Sequence, residues 1–301
     1  MSGFLGASEV MWRLKERLGR LAALDGHVLI EGATGTGKEL AARGIHSSSR
    51  RACGPFVAVN CGAVPRTLLE SQLFGCAKGT YTGSLEDRRG LCEAAEGGVL
   101  FLDEIGELPL ESQAALLRFL DSGETMRLGE NRVRHYDVRV IAATNRSLEE
   151  MMCAGTFRED LYYRLSMLKL HMPSLSSHLE DIGVLARHFL GQIGAEYELS
   201  GDALEVLSRR SWPGNVRELR NVIWQAAENA RDCRITADCI PVEYWRAAGT
   251  TPPGEQTSLA AAMEELRARM VSKAMKEAGG NMSRAARMLG IHRNTLRNLL
   301  K

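Results

Sequence analysis

The segment that most constrains this chain is a glycine-rich loop that directly follows a short apolar run. It reads Gly32-Ala33-Thr34-Gly35-Thr36-Gly37-Lys38-Glu39 and comes after Val28-Leu29-Ile30. The glycines allow the backbone to turn tightly enough for successive N–H groups to point at phosphate oxygens, and Lys38 adds a positive charge. A helical pattern begins at Glu39, and a helix N-terminus attracts anions. A glycine-rich turn that arises by chance needs no strand before it and no helix after it. The order of strand, loop and helix therefore predicts a site for a nucleoside triphosphate.

Glu39 stands where most loops of this kind have the Ser or Thr that binds magnesium, so we expect the metal to depend on a carboxylate elsewhere. The sequence offers one in Gly98-Val99-Leu100-Phe101-Leu102-Asp103-Glu104, an apolar run that ends in two acids. We predict that Asp103 binds Mg²⁺, that Glu104 activates water, and that Gly98 belongs to the nucleotide-binding residues. Two acids at a strand end can also simply begin a helix, but the phosphate loop upstream favours the catalytic interpretation.

Composition places the chain among globular proteins. Of its 301 residues, 45% are hydrophobic and 25% charged, which provides apolar material for about two domains. The seven cysteines are scattered and lack CxxC spacing, so they support neither a disulfide framework nor a zinc site and favour a reducing cytosol. No apolar run approaches the roughly 20 residues that cross a bilayer, and the N-terminus lacks a secretory signal. We therefore expect a cytoplasmic protein without a membrane partner.

Five apolar runs alternate with helical patterns, which predicts an α/β fold with a parallel sheet covered by helices. The predicted strands lie at 28–30, 56–59, 99–102, 138–142 and 168–172, and the predicted helices between them include 39–47, 110–122 and 148–154. After Pro173 only helical spacing remains, at 179–193, 202–209 and 216–229. We therefore predict an α/β nucleotide-binding subdomain at 1–172 and a helical lid at 173–245.

A change of composition follows the lid. Residues 246–258 read RAAGTTPPGEQTS, and we predict a linker there because paired prolines, glycines and small polar residues resist both helix and sheet. Helical spacing resumes at 259–278, and we expect this helix to pair two copies of the chain. Ser283 is the predicted cap of a helix at 284–289, Gly290 the turn, and 293–301 the last helix. This is a helix-turn-helix layout within an all-α domain at 259–301.

Six motifs occur in order between Phe4 and Trp245, and together they resemble the AAA+ central domain of bacterial enhancer-binding proteins, the activators of sigma-54 RNA polymerase. The motifs are GATGTGKE at 32–39, FVAVNCGAVP at 56–65, GGVLFLDEIGELP at 97–109, AATN at 142–145, FREDLYYRL at 157–165 and WPGNVREL at 212–219. The resemblance implies an AAA+ P-loop ATPase that uses ATP and Mg²⁺ and assembles into a ring, a hexamer by analogy with the family.

The resemblance also implies roles for polar side chains around the nucleotide. Asn60 would restrain Glu104 through a hydrogen bond until the nucleotide is engaged. Thr144 and Asn145 would sense the γ-phosphate, and Arg217 would reach the phosphates from the lid.

Two further arginines, Arg158 and Arg164, look like arginine fingers that enter the site of a neighbouring subunit. Fingers of this kind add roughly 10³ to 10⁵ in rate, so activity would require the ring. If the two arginines instead made only surface ion pairs, they would fit a monomeric enzyme.

The polymerase-contacting loop of the family usually reads GAFTGA, and this chain departs from it. Residues Gly79-Thr80-Tyr81-Thr82-Gly83-Ser84, here called the partner loop, keep an aromatic ring followed by Thr and Gly but replace both alanines. The preceding segment, 76–78, lacks the His-Glu pair usual in the family. An aromatic side chain at an exposed, glycine-rich tip favours contact with a partner, so we expect this loop to engage sigma-54.

The C-terminal helices resemble the Fis-type DNA-binding domain. Residues 281–301 contain four arginines and one lysine without any Asp or Glu, although the formal net charge of the chain is only +1. The alternatives to DNA binding are a solvated basic face or a membrane-surface helix. For double-stranded DNA we expect base contacts from Arg293, Asn294, Thr295 and Arg297, and phosphate contacts from Arg284 and Lys301.

Together these features predict an ATP-dependent transcription activator. It would bind an upstream DNA site, assemble from dimers into a hexameric ring, and move the partner loop against sigma-54 RNA polymerase. Two alternatives stay open: a nucleotide-gated DNA-binding regulator that does not engage sigma-54, and a P-loop ATPase that acts on DNA, such as a loader or helicase. No receiver or ligand-sensing domain fits before Phe4, so we expect either a separate regulatory protein acting in trans or a trimmed sequence.

Overall fold

The computed structural model describes residues 4–78, 87–241, 270–271, 274–275, 278, 281–291 and 296. The chain divides into two compact units, Met1–Thr250 and Thr251–Lys301. The partner loop and the predicted linker lie outside the described residues, and the predicted domain boundaries stay predictions. No helix in the described ranges is both long and apolar enough to cross a bilayer.

The first unit alternates helices and strands as far as β9 and is mainly helical after it. Its described elements, in chain order, are α1 (Glu9–Ala23), β1 (Val28–Glu31), α2 (Lys38–Ser47), β2 (Phe56–Asn60), α3 (Arg66–Phe74), β3 (Gly75–Cys76), β4 (Arg88–Arg89), α4 (Leu91–Ala94), β5 (Val99–Asp103), α5 (Leu110–Ser122), β6 (Glu124–Thr125), β7 (Arg134–His135), β8 (Arg139–Thr144), α6 (Leu148–Cys153), α7 (Glu159–Leu165), β9 (Leu168–His171), α8 (Ile182–Ile193), β10 (Glu198–Leu199), α9 (Gly201–Ser208), α10 (Asn215–Asn229) and β11 (Arg234–Ile235). Short 3₁₀ turns lie at Ile105–Glu107, Leu175–Ser177, Leu179–Asp181 and Ala237–Cys239.

Five of the described strands form one parallel sheet in the order β2-β5-β8-β1-β9. The central strands are apolar and buried, as expected when helices cover both faces of a parallel sheet. This confirms the predicted α/β architecture. In the register of the strands, Glu31 pairs with Thr144 and Asn60 pairs with Asp103. The carboxyl ends of neighbouring strands therefore bring polar residues to the same edge of the sheet.

The first helix, α1, is an element that the sequence analysis does not predict. Ser8 caps it by accepting the Met11 N–H, and the buried residues Met11, Leu14, Leu18 and Leu21 are spaced by three and four. This is the period of an amphipathic helix. The buried face of α1 packs with α2 and β1 in one apolar cluster. Its cap and its spacing are the two signals from which it can be predicted.

The helical lid follows β9 and has its own apolar core. Helices α8, α9 and α10 contribute to one cluster with Trp212, which is 1% exposed. The indole N–H of Trp212 donates to Leu207 O at 2.9 Å. The predicted helix at 179–193 begins as the 3₁₀ turn Leu179–Asp181 before α8, and the short strands β10 and β11 pair in parallel. The predicted helical lid is thus confirmed, with a small strand pair that the sequence pattern does not indicate.

Gly98 does not lie with the nucleotide-binding residues, so that prediction is wrong. It immediately precedes β5, whereas Asp103 is the last residue of that strand. The two residues are therefore at opposite ends of β5. A Cβ at Gly98 would lie 2.0 Å from Pro55 O, and the close approach of two backbones explains why glycine occupies this position.

In the second unit, the described helix α11 spans Met282–Met288. The prediction that Ser283 caps this helix is wrong, because Asn281 Oδ1 accepts the N–H groups of Ser283 at 3.1 Å and Arg284 at 3.2 Å. Asn is among the strongest N-cap residues, and its position two residues earlier starts the helix earlier. Gly290 has a φ of +66°, which agrees with the predicted turn after the helix.

We expect Gly98→Ala to lower the free energy of unfolding by about 1 to 3 kcal/mol, because the new methyl group would overlap Pro55. The nucleotide affinity of the folded protein should not change. Gly44→Ala in α2 is the matched control, since nothing lies within 4 Å of a Cβ there, and it should stabilise the protein by about 0.5 to 1 kcal/mol. Urea unfolding measures the stability, and nucleotide titration measures the affinity. If Gly98→Ala bound nucleotide more weakly without any change in stability, Gly98 would belong to the nucleotide-binding residues after all.

Candidate functional site

A cleft of about 740 Å³ lies between the carboxyl edge of the sheet and the lid. It brings together five predicted site residues from four separate parts of the sequence, namely Lys38, Asp103, Glu104, Asn145 and Arg217. Residues 34–39 of the phosphate loop line the same cleft. One cavity thus contains the phosphate loop, the acidic pair, an amide and a cationic side chain from the lid.

The phosphate loop folds around the Lys38 ammonium. Gly35 and Gly37 have φ angles of +80° and +91°, a conformation that glycine adopts without strain. Lys38 Nζ donates to Gly32 O at 2.8 Å and to Ala33 O at 3.1 Å. Burial lowers the pKa of Lys38, an effect that Asp103 opposes. Phosphate oxygens can replace these two carbonyls as acceptors for the ammonium.

Thr36 and Glu39 complete the loop in different ways. Thr36 is 7% exposed, and its hydroxyl donates to Ala33 O at 2.8 Å, which supports the turn. Glu39 lies on the first turn of α2 and pairs with Arg43 at 2.8 Å, both side chains being about half exposed. A surface pair of this kind contributes little stability.

The acidic pair ends β5 in an unusual backbone conformation. Glu104 has a φ of +54°, and its N–H donates to Asp103 Oδ1 at 3.0 Å. Left-handed backbone at a non-glycine residue costs about 1 kcal/mol or more and is common at functional sites. The Glu104 carboxylate lies beside Gly62, where a Cβ would be 2.2 Å from Glu104 Oε2. The sharp turn therefore directs the carboxylate away from the path of the strand.

The oxygen donors at this edge suit Mg²⁺ when a nucleotide is bound. Mg²⁺ usually binds through one or two carboxylates together with substrate phosphates. The described residues contain no group of three or more His, Cys, Asp or Glu side chains that could hold a metal ion. Asp103 fits the predicted metal role only as one ligand beside phosphate oxygens.

The predicted hydrogen bond between Asn60 and Glu104 is not present among the described residues. Asn60 Oδ1 instead accepts the N–H groups of Gly62 at 2.8 Å and Ala63 at 3.1 Å. Asn side chains readily form turns of this kind with the following backbone. Because Gly62 also lies against the Glu104 carboxylate, Asn60 shapes the loop beside Glu104 without holding the carboxylate itself.

Thr144 and Asn145 are neighbours at the end of β8, but only Asn145 reaches the cleft. Its Nδ2 donates to Thr34 Oγ1 at 3.1 Å. Thr144 is 1% exposed, and its Oγ1 accepts the Arg146 N–H at 3.0 Å. Side chains alternate along a strand, so the two residues face different ways. Contrary to the prediction, Thr144 is buried behind the cleft, where it supports the turn that carries Asn145.

The lid contacts the phosphate loop through Asn215, a residue that the sequence analysis does not identify. Asn215 is 2% exposed. Its Nδ2 donates to Thr34 O at 3.0 Å, and its Oδ1 accepts the Leu175 N–H at 2.8 Å. The Arg217 N–H also donates to Gly35 O, at 3.3 Å. The sequence signal for this contact is the Asn inside WPGNVREL, directly before a helical pattern.

The side chains of Arg217 and Arg220 both line the cleft. They are three residues apart on α10, and that spacing places them on one face of the helix. Arg220 is therefore a second lid cation that helical periodicity could have identified.

The far end of the cleft is apolar, and the sequence analysis predicts none of its residues. Its lining comes from the N-terminal segment, α1, α8 and the chain after β9, namely Phe4, Leu5, Met11, Leu14, Met172, Leu185 and Phe189. Asp181 ties these parts together, since its Oδ1 accepts the Ser8 N–H at 3.0 Å and its Oδ2 lies 3.1 Å from His178 Nδ1. An apolar wall with a few polar groups suits a flat heterocyclic base. Hydrophobicity alone does not distinguish such residues from the core.

Arg158 and Arg164 do not line the cleft of their own chain. Arg158 forms two hydrogen bonds with the Asp160 carboxylate, at 3.0 and 2.7 Å, and Arg164 pairs with Asp121 at 2.9 Å. Their side chains are 44% and 37% exposed. Because ion pairs at such exposure are weak, both guanidinium groups can exchange their partners for an incoming anion.

The chain on both sides of the partner loop is described, although residues 79–86 are not. Strands β3 and β4 pair antiparallel on either side of it. Lys78 N–H donates to Asp87 Oδ1 at 2.8 Å and closes the base. Of the predicted DNA-binding residues, Arg284 is exposed on α11, while Arg293, Asn294, Thr295, Arg297 and Lys301 lie outside the described residues.

Three family models match the chain in succession. A model described as the sigma-54 interaction domain matches residues 4–171. A model of the AAA+ ATPase lid domain matches residues 176–257, and a model of bacterial regulatory proteins of the Fis family matches residues 262–301. The first of these models covers more than half of the chain.

Individual proteins are similar over nearly the whole chain. The regulatory protein AtoC of Escherichia coli (strain K12) is 43% identical in an alignment that covers 96% of this chain and 65% of AtoC. The Nif-specific regulatory protein of Azotobacter vinelandii is 42% identical, with 95% of this chain and 56% of that protein covered. The chain therefore spans less than two thirds of either relative. The crystal structure of NtrX from Brucella abortus in complex with ATP has a TM-score of 0.78 and 35% identity, and covers 98% of this chain and 68% of NtrX.

We expect Asn215→Asp to weaken nucleotide binding by about 1 to 3 kcal/mol. The substitution keeps the acceptor for Leu175 but places a carboxylate oxygen, which cannot donate, against Thr34 O. Asn221→Asp is the matched control, because it adds the same charge at an exposed position of the same helix. Titration with a fluorescent nucleotide measures both affinities. Equal losses in the two variants would attribute the effect to charge and not to the contact with the loop.

Proposed function

Because this chain belongs to the family of sigma-54 activators, whose sigma-54 interaction domain it carries, we propose that it hydrolyses ATP to remodel sigma-54 RNA polymerase at promoters. The observation that carries the proposal is the convergence of Lys38, Asp103, Glu104, Asn145 and Arg217 on one cleft. This set supplies a phosphate cradle, a metal ligand, a base, a polar sensor and a lid cation. These are the parts that phosphoryl transfer to water requires.

In this proposal the phosphates of ATP bind at 32–39 and its adenine ring binds at the apolar end of the cleft. Lys38 exchanges its bonds with the Gly32 and Ala33 carbonyls for bonds with phosphate oxygens. Asp103 would hold Mg²⁺ together with the phosphates, and the metal supplies charge neutralisation there when bound. The similar protein NtrX has been crystallised with ATP, which supports the choice of nucleotide.

Glu104 is the proposed base that accepts a proton from the attacking water. Its left-handed backbone and its contact with Gly62 hold the carboxylate at the edge of the sheet. The amide of Asn145, already bonded to Thr34, is placed to detect the γ-phosphate. Arg217 and Arg220 add positive charge from the lid.

Hydrolysis in this proposal needs a second subunit. Arg158 and Arg164 lie outside the cleft of their own chain and are partly exposed, so they are available as fingers for a neighbouring subunit. Dimers would assemble into a hexameric ring, and ATPase activity per subunit should rise with protein concentration.

A continuous segment joins the proposed base to the partner loop. Gly62 lies against Glu104, and the chain from Gly62 enters α3, which ends at Phe74 directly before β3. A displacement of the Glu104 carboxylate when the γ-phosphate leaves would move this segment and, with it, the tip that carries Tyr81. We propose this displacement as the mechanical step against sigma-54.

The C-terminal domain is the proposed anchor on upstream double-stranded DNA. Its basic sequence lacks acidic residues over 281–301, and Arg284 is exposed on α11, where it can meet a phosphate. Since the proposed partners are DNA and RNA polymerase, we propose that the protein acts in the cytoplasm.

The second candidate is a nucleotide-gated DNA-binding regulator that does not engage sigma-54. The specific observation in its favour is the partner loop, which reads GTYTGS where the family usually has GAFTGA. Both candidates predict nucleotide and DNA binding, so capture of sigma-54 is what distinguishes them.

The motor assignment predicts that Lys38→Ala and Glu104→Gln retain DNA binding but lower the rate of ATP hydrolysis by about 10²-fold or more. Lys38→Ala removes the positive charge that faces the phosphates, and Glu104→Gln removes the general base. Promoter opening should be lost in parallel. Glu111→Gln at an exposed position of α5 is the matched control and should behave as the wild type. Normal promoter opening by Lys38→Ala or Glu104→Gln would refute the motor assignment.

Sigma-54 capture tests the partner loop directly. With a transition-state nucleotide analogue bound, the wild type should retain sigma-54, whereas Tyr81→Ala should retain at least about tenfold less, since an aromatic anchor commonly contributes 2 kcal/mol or more. Tyr163→Ala, at a position that is 64% exposed on α7, is the control for general loss of aromatic surface. If the wild type captures no sigma-54 while DNA and nucleotide binding are intact, the second candidate is correct.

A further inference from the structure

His27 is the residue directly before β1, and both of its ring nitrogens contact the backbone. Nδ1 lies 3.2 Å from Val140 N, and Nε2 lies 3.3 Å from Leu120 O. A backbone N–H can only donate, so Nδ1 must be unprotonated; a carbonyl can only accept, so Nε2 must carry the proton. The two contacts therefore require one neutral tautomer of the imidazole.

The Leu120 carbonyl that accepts from His27 is also an acceptor for Arg164. Arg164 Nε and Nη2 lie 3.2 and 3.1 Å from this oxygen. Leu120 belongs to the last turn of α5, where carbonyls have no partner within the helix and carry the negative end of its dipole. His27 and Arg164 thus meet at one oxygen atom at the end of α5.

We propose that His27 is a positioning residue for Arg164, which holds the arginine in the direction from which it enters the nucleotide site of a neighbouring subunit. The role rests on the proposed function, because it requires Arg164 to act as a finger. A carbonyl oxygen has two lone pairs. With the His27 proton on one of them, the guanidinium is confined to the other, and the carbonyl itself cannot turn.

Two arginines near His27 oppose its protonation, and one carboxylate favours it. Arg139 from β8 and Arg164 from α7 are nearby cations, and Asp25 from the preceding loop is a nearby carboxylate, while Asp121 from α5 pairs with Arg164. Burial is the main cause that lowers the pKa of His27. A second ring proton would face the Val140 N–H and add a cation beside two arginines.

The direction of the pH effect follows from this environment. His27 is neutral in its working state, and its pKa in the fold lies below the ordinary value of 6.5. Protonation leaves the Nε2 donor in place, but it puts a second ring N–H against the Val140 N–H and so displaces the ring from Leu120 O. The positioning of Arg164 is therefore present at neutral pH and is lost as the pH falls through the lowered pKa of His27.

Two substitutions separate the hydrogen bonds of His27 from its titration. His27→Val removes both hydrogen bonds and should lower kcat for ATP by about tenfold or more, as small displacements of catalytic groups do. KM should change little, because a finger acts on the charge of the transition state and the phosphate loop that binds ATP is unchanged. His27→Gln keeps an amide that can donate to Leu120 O and cannot gain a proton, so it should retain most of kcat and stay active at acid pH where the wild type declines.

The matched control is His46→Gln. The Nε2 of His46 lies 3.1 Å from Gly54 O in the connection between α2 and β2, and this substitution should leave kcat and its pH profile unchanged. Mixed rings add a second readout. Lys38→Ala subunits have a defective site but an intact Arg164, so mixing them with His27→Val subunits should give more turnover than either variant alone.

A wild-type kcat in folded His27→Val, or the same loss at acid pH in the wild type and His27→Gln, would overturn the positioning role even if the ATPase assignment stands. A wild-type chain that binds ATP but never hydrolyses it would overturn the proposed function, and the positioning role with it. If His27→Val does not fold, the pH profiles of the wild type and His27→Gln decide.

Discussion

The nucleotide cleft depends on one contact, the docking of the first turn of α10 on the phosphate loop. The Arg217 N–H donates to Gly35 O at 3.3 Å, and Asn215 Nδ2 donates to Thr34 O at 3.0 Å. A Cβ at Gly35 would lie 2.2 Å from Gly214 O, so backbone meets backbone with no room for a side chain. Both bonds use carbonyls of the loop and do not compete with phosphates, which need its N–H groups. The lid therefore closes the cavity without occupying the anion site.

The chemistry of the cleft lies where the regular geometry of the strands ends. The parallel register of β2 and β5 places Asn60 beside Asp103, and the next residue, Glu104, leaves the strand with a left-handed backbone. At the end of β8, alternation buries Thr144 and turns Asn145 toward Thr34. The carboxyl edge of the parallel sheet brings these polar residues close together. Local departures from strand geometry then decide which of them face the nucleotide.

In the proposed ring, one reaction is divided between two copies of the chain. Each copy would contribute a cleft and two arginines, Arg158 directly before α7 and Arg164 on it, which form only weak ion pairs with acids on its own surface. The end of α5 provides the oxygen that orients Arg164, and His27 fixes that oxygen from the other side. The carbonyls of the last helical turn have no partner within the helix and carry the negative end of its dipole. They therefore attract the Arg164 guanidinium while leaving it exposed.

The sequence by itself determined what depends on local chemistry. Glycines and Lys38 define the phosphate loop, and five apolar runs define a sheet that helices must cover on both faces. The sequence also contains the local signals for α1, which are the Ser8 cap and the apolar spacing, and it contains Asn281 as the N-cap of α11. Only the tertiary structure decided the contacts between distant backbones: the packing of Gly98 on Pro55, the turn made by Asn60, the docking of Asn215, and the carbonyl shared by His27 and Arg164. Carbonyl and N–H groups are common to nearly every residue, so no pattern of side chains indicates which of them will meet.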